Sequence, residues 1–261
     1  MPKSNWLLAW EREAIIAYAK SHPDEGYRRL TYMMIDDDIV AVSPSSTYRV
    51  LLPLGLLCDF DRKKSKKGTG FVQPNFPNEH WHTDISYINI ACTFYYFISV
   101  LDGYSRLIIH WDLRKSMTES DVEVVLLKAH EKHPDAKPRV ISDNGKQYIA
   151  NDFKIFIRQQ EMSHVTTSPY YPQSNGKLER FHGTLKSECV RKETLNDYDQ
   201  AKIILQEYVD HYNHVRLHSA IGYVAPFAKF NGEDKKIIAH RKQKINLAAK
   251  ERQRINDNIK A

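Results

Sequence analysis

The chain has 261 residues, enough for one large or two modest domains, and its composition is that of a folded protein. Apolar residues make up 42% and charged residues 27%, which excludes a disordered chain. No stretch approaches the roughly 18 apolar residues of a membrane helix, and the N-terminus lacks the apolar core of a secretory signal. The cysteines Cys58, Cys92 and Cys189 are widely separated, which argues against a disulfide framework and indicates a reducing compartment such as the cytoplasm.

The net charge of +6 is concentrated in two places. The last 31 residues carry nine Lys and Arg against four Asp and Glu, and a basic run at 62–67 includes Lys63 and Lys64. Such runs suit a polyphosphate backbone, because each neutralised phosphate releases a counterion. A solvated linker and tail would have the same composition, so charge alone leaves both interpretations open.

Residues 11–57 predict three short helices. In the third, serines able to cap a helix precede Tyr48, Leu51 and Leu52 at helical spacing. The arrangement is typical of a helix-turn-helix domain, with 45–52 as its recognition helix. Arg49 would then face the duplex, and Arg28 and Arg29 would contact phosphates. The alternative is a helical appendage used only for packing.

From residue 81 the pattern changes from helices to strands. The β-branched and aromatic runs 82–90, 93–102 and 105–113 predict a meander, and 138–142 and 162–167 predict two further strands. Helices are predicted from Thr118, over 151–161 and over 175–192. The order βββαβαβα predicts one α/β domain with a mixed sheet. A further helix over 197–213 and a basic tail helix without a full apolar stripe follow.

Three carboxylates occupy positions that these elements would bring together. Asp84 lies within the first strand, Asp143 directly follows the strand at 138–142, and Glu179 lies on the long helix. At about 100° per residue, Glu179 and Lys186 lie on one flank of the stripe that packs on the sheet. That stripe consists of Leu178, Phe181, Leu185 and Cys189.

Oxygen ligands with open positions are those that Mg²⁺ prefers when substrate phosphates complete its shell, and two such ions support phosphoryl transfer. Each acid also has an ordinary interpretation. Asp84 could be a hydrogen-bonded structural acid, Asp143 part of an Asp-Asn-Gly turn, and Glu179 a solvated helix residue.

The spacing of Asp84, Asp143, 35 intervening residues, Glu179 and then Lys186 resembles the catalytic pattern of retroviral-type integrases and insertion-sequence transposases. The surrounding sequence matches in order over about 150 residues: WHTDISYI, VLDGYSRLIIHW, SDNGKQYIANDF, SPYYPQSNGKLERFHGTLKSE and YNHVRLHSAIGYVAP. It is most similar to the OrfB-type transposases of two-frame bacterial insertion sequences. The N-terminal GYRRLTYMM and SPSSTYRVLLPLGL resemble the helix-turn-helix that often precedes that core.

This resemblance implies a ribonuclease-H-like α/β fold: a mixed five-stranded sheet with flanking helices, preceded by the small helix-turn-helix domain. It implies that Asp84, Asp143 and Glu179 are catalytic and hold two Mg²⁺ ions, for which Mn²⁺ can substitute. The predicted segments are the helix-turn-helix domain 1–58, a basic linker 59–79, the catalytic core 80–194, a helical extension 195–231 and a basic helical tail 232–261.

The implied activity is that of a DNA transposase. It would hydrolyse a phosphodiester at the element end and join the exposed 3′-hydroxyl to DNA by transesterification. Its partners would be the element ends, target DNA, a further copy of the chain in at least a dimer, and an upstream-frame OrfA-type partner or fusion. It would act in the bacterial cytoplasm, at the nucleoid.

Further residues are candidate DNA contacts. Lys186 and Arg180 lie on the helix of Glu179, and His182 on that helix either meets a phosphate or serves the structure. Arg216 and His218 either contact DNA or brace the adjoining helix. His211, His214 and His218 could also be imagined as a zinc site, but no cysteine lies nearby. Tyr170, Tyr171 and Pro172 precede a Gln-Ser-Asn-Gly stretch that is predicted to form a mobile loop over the site. The two tyrosines would either stack on a splayed base or pack against the loop.

Two other functions remain open. One is a catalytically inactive DNA-binding regulator derived from a transposase, which the intact acidic triad argues against. The other is a stand-alone ribonuclease-H-like nuclease, which would cut DNA without joining it.

Overall fold

The computed structural model describes residues 5–57, 72–166 and 176–259, and the chain divides into two compact units. One unit combines the chain before residue 66 with residues 217–224 and 231–261; the other contains 66–216 and 225–230. Lys63, Lys64, Tyr170, Tyr171 and Pro172 lie outside the described residues. Within those ranges, no helix is both long and apolar enough to cross a membrane.

The larger unit is built on one mixed sheet of five strands. They are β1 His80–Ile90, β2 Thr93–Asp102, β3 Ile108–Arg114, β4 Arg139–Ser142 and β5 Ser163–Thr166. Their order across the sheet is β3-β2-β1-β4-β5, with β1, β2 and β3 antiparallel and with β4 and β5 parallel to β1. The predicted α/β fold is confirmed.

Helices cover both faces of this sheet. One face holds α4 Glu119–Lys132, α5 Lys146–Ile149 and α6 Asn151–Gln159, and the other holds α7 Gly176–Leu185 and α8 Tyr198–His214. Successive side chains of a strand point to opposite faces of the sheet, and each face has its own hydrophobic core. Phe97 therefore packs with α7, while its neighbour Ile98 packs with α4. The short α9 Pro226–Phe230 follows.

The helix of Glu179 ends earlier than the sequence indicated. The predicted helix over 175–192 consists of α7 and one π-helical turn, Lys186–Val190. The predicted stripe is nevertheless buried throughout, including Cys189 within the π-helical turn. Glu179 and Lys186 therefore keep their positions beside a face that packs on the sheet.

The smaller unit begins with the three short helices that the sequence predicted. They are α1 Ala9–Ser21, α2 Tyr27–Asp36 and α3 Pro44–Leu51. The Ser43 hydroxyl caps α3 by accepting from the backbone N–H of Ser46, and Pro44 occupies the first turn, where a missing N–H costs nothing. A core packed around Ile15, Leu30 and Met34 joins the helices.

The C-terminal helix α10, Asp234–Asn258, belongs to this smaller unit and packs against α2. Its packing is mostly polar: Arg241 donates to both carboxylate oxygens of Asp36, and Arg252 forms a buried ion pair with Glu11. The separate basic tail predicted from residue 232 is therefore corrected. Several of its cations stabilise the N-terminal helices.

Candidate active site

Two of the three acids lie at the end of the parallel strand pair β1 and β4. The pairing places His82 beside Ile141, and continuing it by two residues brings Asp84 level with Asp143 on neighbouring strands. Such strands are about 4.8 Å apart. Each acid accepts a backbone N–H with one oxygen, Asp84 from Ile85 and Asp143 from Gly145. The other carboxylate oxygens are left for further partners.

Asp84 is the most perturbed of the three acids. The pKa of Asp84 is raised from 3.8 to about 6, chiefly by burial and in lesser part by the negative charges of Asp143 and Glu179, while the Ile85 N–H and the Lys186 ammonium oppose the rise. Asp143 and Glu179 are both exposed. Asp143, Glu179 and Lys186 therefore all lie within electrostatic range of Asp84, as the sequence spacing had suggested.

His182, predicted as a phosphate contact, is buried at the foot of this site. Its ring packs edge-on against Phe97, its Nε2 lies 3.3 Å from the Ser99 hydroxyl, and its Nδ1 lies 3.7 Å from Asp84. Burial lowers the pKa of His182 to about 3, so the imidazole is neutral at pH 7 and forms no true ion pair with Asp84. Of the two roles left open for His182, the structure favours the structural one.

A buried hydrogen bond connects the segments that carry Asp84 and Asp143. The Tyr148 hydroxyl lies 3.2 Å from the Thr83 hydroxyl, and Thr83 is the neighbour of Asp84. Tyr148 also donates its backbone N–H to the carbonyl of Gly145, in the turn that follows Asp143. A Cβ at Gly145 would lie 2.8 Å from the side-chain oxygen of Gln147 and 3.0 Å from the Asp143 carboxylate, so a larger residue would displace these side chains.

The three carboxylates are the kind of ligand that a hard divalent cation takes, although they do not surround a single point in this structure. Among the residues that the structure describes, no group of three or more His, Cys, Asp or Glu side chains is close enough to hold one ion. Burial is the main cause of the raised pKa of Asp84, and repulsion from the other two carboxylates adds to it. A cation such as Mg²⁺ would relieve this repulsion, and carboxylate oxygens are its preferred protein ligands.

The remaining predicted DNA contacts near the core differ in accessibility. Arg180 is exposed on α7 and Lys186 is half-buried beside Asp84. Arg216 instead donates two hydrogen bonds to Glu188, at 2.7 and 2.6 Å, and its side chain is 10% exposed. The structure thus gives Arg216 the bracing role.

His218 and His214 are used locally. The His218 Nδ1 accepts the backbone N–H of Ala220, and the His214 ring packs on Phe227 at 4.4 Å between centroids. The two histidines belong to different units of the chain. The structure gives no support to the zinc interpretation.

The predicted contacts of the N-terminal helices are partly accessible. Arg49 is exposed on α3 beside the exposed Tyr48, and Arg28 is exposed but donates to the Tyr27 hydroxyl. Arg29 is half-buried and paired with Glu25. Arg49 therefore remains the best-placed arginine of this group for DNA.

The sequence interpretation missed Tyr148, Thr83 and Lys177. Lys177 donates from Nζ to the carbonyl of Gly103 at 2.9 Å and so attaches the start of α7 to the turn after β2. Its burial lowers its pKa to about 7. The nearness of Lys177 to Glu179 and of Thr83 to Asp84 in sequence was the available signal, but their partners are distant along the chain.

Comparison with known proteins agrees with this geometry. Two family models described as integrase core domain match residues 74–172 and 160–226. An uncharacterized protein of insertion element IS136 from Agrobacterium fabrum is 33% identical over 134 residues, 49% of this chain and 69% of that protein. Transposase InsD of insertion element IS2 from Escherichia coli is 29% identical over 225 residues, 78% of this chain and 72% of that protein.

A solved structure shows the same fold. The HTLV-2 integrase catalytic core domain in complex with magnesium, in its trimeric form, aligns with a TM-score of 0.50 at 18% identity, over 60% of this chain and 98% of that one. The region matched by the two family models contains the whole sheet, both strand-end acids and the helix of Glu179. The chain therefore belongs to the DDE transposase and integrase family, with an integrase core domain on a ribonuclease-H-like fold.

Proposed function

We propose that this protein is a metal-dependent polynucleotidyl transferase that cuts a phosphodiester at the ends of an insertion sequence and joins the freed 3′-hydroxyl to DNA. The observation that carries the proposal is the placement of Asp84 and Asp143 level with each other on neighbouring strands, with Glu179 near enough for its charge to raise the pKa of the buried Asp84. Perturbed acids of this kind concentrate at catalytic sites. Family membership gives the reaction class.

The three acids would hold Mg²⁺, or Mn²⁺ in its place. When bound, two such ions supply activation of the attacking oxygen and charge stabilisation for the leaving one. Near pH 6 Asp84 is partly protonated, so binding of a cation would also release a proton from this carboxyl. The HTLV-2 structure is described as a complex with magnesium, which supports this assignment.

The chain's own residues would orient the DNA. Lys186, which lies near Asp84, would hold a backbone phosphate as a point charge. The neutral His182 and the aromatic rings around it exclude water from the inner side of Asp84. The α3 helix with Arg49, assisted by Arg28, would read the element end in the manner of a helix-turn-helix.

The bonds made and broken balance without a nucleotide cofactor. In the first step a water oxygen bonds to phosphorus, the bond from phosphorus to the 3′-oxygen breaks, and the proton passes to that oxygen. In the second step the 3′-hydroxyl oxygen bonds to a phosphorus of the target, whose displaced 3′-oxygen takes the proton. The first step is therefore a hydrolysis that forms no new phosphodiester, and the second forms one phosphodiester for the one that it breaks.

The reaction acts on two element ends, so at least a dimer of this chain is proposed. The trimeric form of the HTLV-2 core domain supports the assembly of several copies. An upstream-frame partner or fusion is part of this proposal, as is action at the bacterial nucleoid. The relatives are proteins of bacterial insertion elements, which supports that setting.

The test is a nicking and joining assay on labelled duplexes that contain the inverted repeats flanking the gene. Asp84→Asn, Asp143→Asn and Glu179→Gln keep side-chain shape and remove charge, so cleavage and joining should be lost while DNA binding is kept. Glu131→Gln, at an exposed acid of α4, is the matched control and should cut normally.

Near-normal cleavage by any triad variant would refute the site. Binding without cleavage by the wild-type chain would indicate an inactive regulator, and nicks without joined products would indicate a stand-alone nuclease.

A further inference from the structure

The cations on the inward side of α10 are used within the smaller unit. Each pairs with an acid of α1, of α2 or of the turn after α2. The pairs are Arg241 with Asp36, Lys244 with Asp38, and Arg252 with Glu11. Lys244 also donates to the carbonyl of Ile35, and Arg252 to that of Ala41. These groups hold the helix and are not available to another anion.

The outward side of α10 carries a second set of cations. Lys235, Lys236, Lys242 and Lys250 are all exposed, and across the described ranges of the chain they form no ion pair or hydrogen bond. At about 100° per residue they lie roughly 100–220° around the helix from Arg241. The inward and outward cations therefore occupy opposite sides of one helix.

The outward lysines also follow the helix lengthwise. At 1.5 Å per residue, Lys235 and Lys250 are about 22 Å apart along the axis, which is the length of about six or seven base pairs. Glu251, which adjoins Lys250, is paired with Arg254, and Asp234, which adjoins Lys235, is buried on the inward side. The result is a positively charged strip on a rigid helix.

We propose that this outward face of α10 binds the sugar-phosphate backbone of DNA and that it does so without regard to sequence. The inference depends on the proposed function for its choice of DNA as the polyanion. Lysines act as point charges for phosphate, and phosphate contacts position a protein without reading bases. α10 would thus add affinity to the N-terminal unit, while α3 supplies selectivity.

An anionic membrane surface is the competing polyanion, and the structure argues against it. Helices that lie on membranes bury an apolar face beneath a basic one. The side of α10 opposite the lysines is instead occupied by the polar contacts of Arg241, Lys244, Arg252 and Asn256 within the unit. No apolar face is left for lipid on that side.

The test measures binding of the full chain to a labelled 30-base-pair duplex of arbitrary sequence across a series of salt concentrations. One variant replaces Lys235, Lys236, Lys242 and Lys250 by Gln. A matched control makes the same change at four other exposed lysines, Lys20, Lys115, Lys128 and Lys154, so both have equal net charge. Thermal unfolding should be the same for both, because none of the eight lysines is buried.

The α10 variant should bind at least about tenfold more weakly at 0.1 M salt, with a salt slope shallower by about two units or more, since each phosphate contact contributes about 0.9. The control should stay within about twofold of wild type. Equal loss in both variants, or no loss, overturns the proposal. So does loss of binding to vesicles containing 30% phosphatidylserine with DNA binding unchanged.

The wild-type chain is assayed for cutting in parallel. If the α10 variant binds DNA more weakly and the wild-type chain does not cut DNA, the DNA-binding surface is supported and the proposed activity is refuted. The failure of one proposal is therefore distinguishable from the failure of the other.

Discussion

Replacing Tyr148 by Phe tests whether the two strand-end acids are held in place by the hydrogen bond to Thr83. Tyr148 is 1% exposed, and its ring packs edge-on against Phe153 at 5.6 Å, so Tyr148→Phe preserves the packing and removes only the hydroxyl. Burial raises the pKa of Tyr148 well above its usual range, so the lost group is a neutral donor and acceptor.

The stability cost should be small and the effect on metal binding larger. A buried hydrogen bond contributes about 1 kcal/mol net to the free energy of unfolding. Groups that orient metal ligands typically change metal affinity by about 10- to 100-fold when removed. Because the bond joins the segments of Asp84 and Asp143, we expect the Mg²⁺ concentration for half-maximal cleavage to rise by at least about tenfold, with the rate at saturating Mg²⁺ largely kept.

Tyr198→Phe is the matched control for this experiment. The Tyr198 hydroxyl donates to the carbonyl of Leu113 at 2.6 Å, in the same unit but with no contact to the acids. Its loss should cost similar stability and leave the Mg²⁺ dependence unchanged. A second readout, the rise in Tm that Mg²⁺ produces in each variant, does not depend on activity. Equal Mg²⁺ dependence in Tyr148→Phe and wild type would refute a positioning role.

Three further outcomes are expected. The pKa of Asp84 in the folded protein, about 6, exceeds its ordinary value of 3.8, so the stability that this carboxyl contributes is present below pH 3.8 and is lost as the pH rises through 6. In urea unfolding without metal, Asp84→Asn should therefore raise the free energy of unfolding by up to about 3 kcal/mol at pH 7.5 and leave it unchanged below pH 4. Arg252→Met leaves Glu11 buried without its partner and should lower the free energy of unfolding by about 3–5 kcal/mol, whereas Arg254→Met, at an exposed pair screened by solvent, should leave it nearly unchanged in the same assay. Lys186→Ala should weaken cleavage, with partial rescue at higher DNA concentration, and should make the salt dependence of DNA binding shallower by about one unit. An unchanged salt slope together with unchanged cleavage would show that Lys186 does not contact DNA.

The sheet and the acids could be predicted because their signals are local. Alternating or wholly apolar runs identified all five strands, and the position of Asp143 directly after β4 identified the strand end. The stripe along α7 placed Glu179 and Lys186 on one flank, and both have electrostatic effects on Asp84. Each of these inferences needed only residues within one element.

The packing of α10 could not be predicted because it depends on residues outside that helix. Its inward side has Arg241, Lys244, Arg252 and Asn256 where a packed helix usually has apolar residues, so the pattern resembled a solvated tail. The partners that make this side buriable are acids more than 200 residues earlier in the chain. Only the fold shows that these charges are matched.

Arg216 illustrates the same limit on a smaller scale. A basic residue in a sequence shared with DNA-processing enzymes suggested a phosphate contact, but Glu188 lies 28 residues earlier, beyond the end of α7. The π-helical turn Lys186–Val190, which carries Glu188, was not visible in the pattern of apolar residues either.

The pairing of the first helix with the last also sets an order of events during synthesis. Arg252 leaves the ribosome 241 residues after Glu11, a delay of roughly ten to fifty seconds at elongation rates of about 5–20 residues per second. Until then the N-terminal helices exist with Glu11 and Asp36 unmatched, and a nascent or prematurely ended chain lacks the helix that completes them. A complete N-terminal unit is thus restricted to chains whose integrase core domain has already been made.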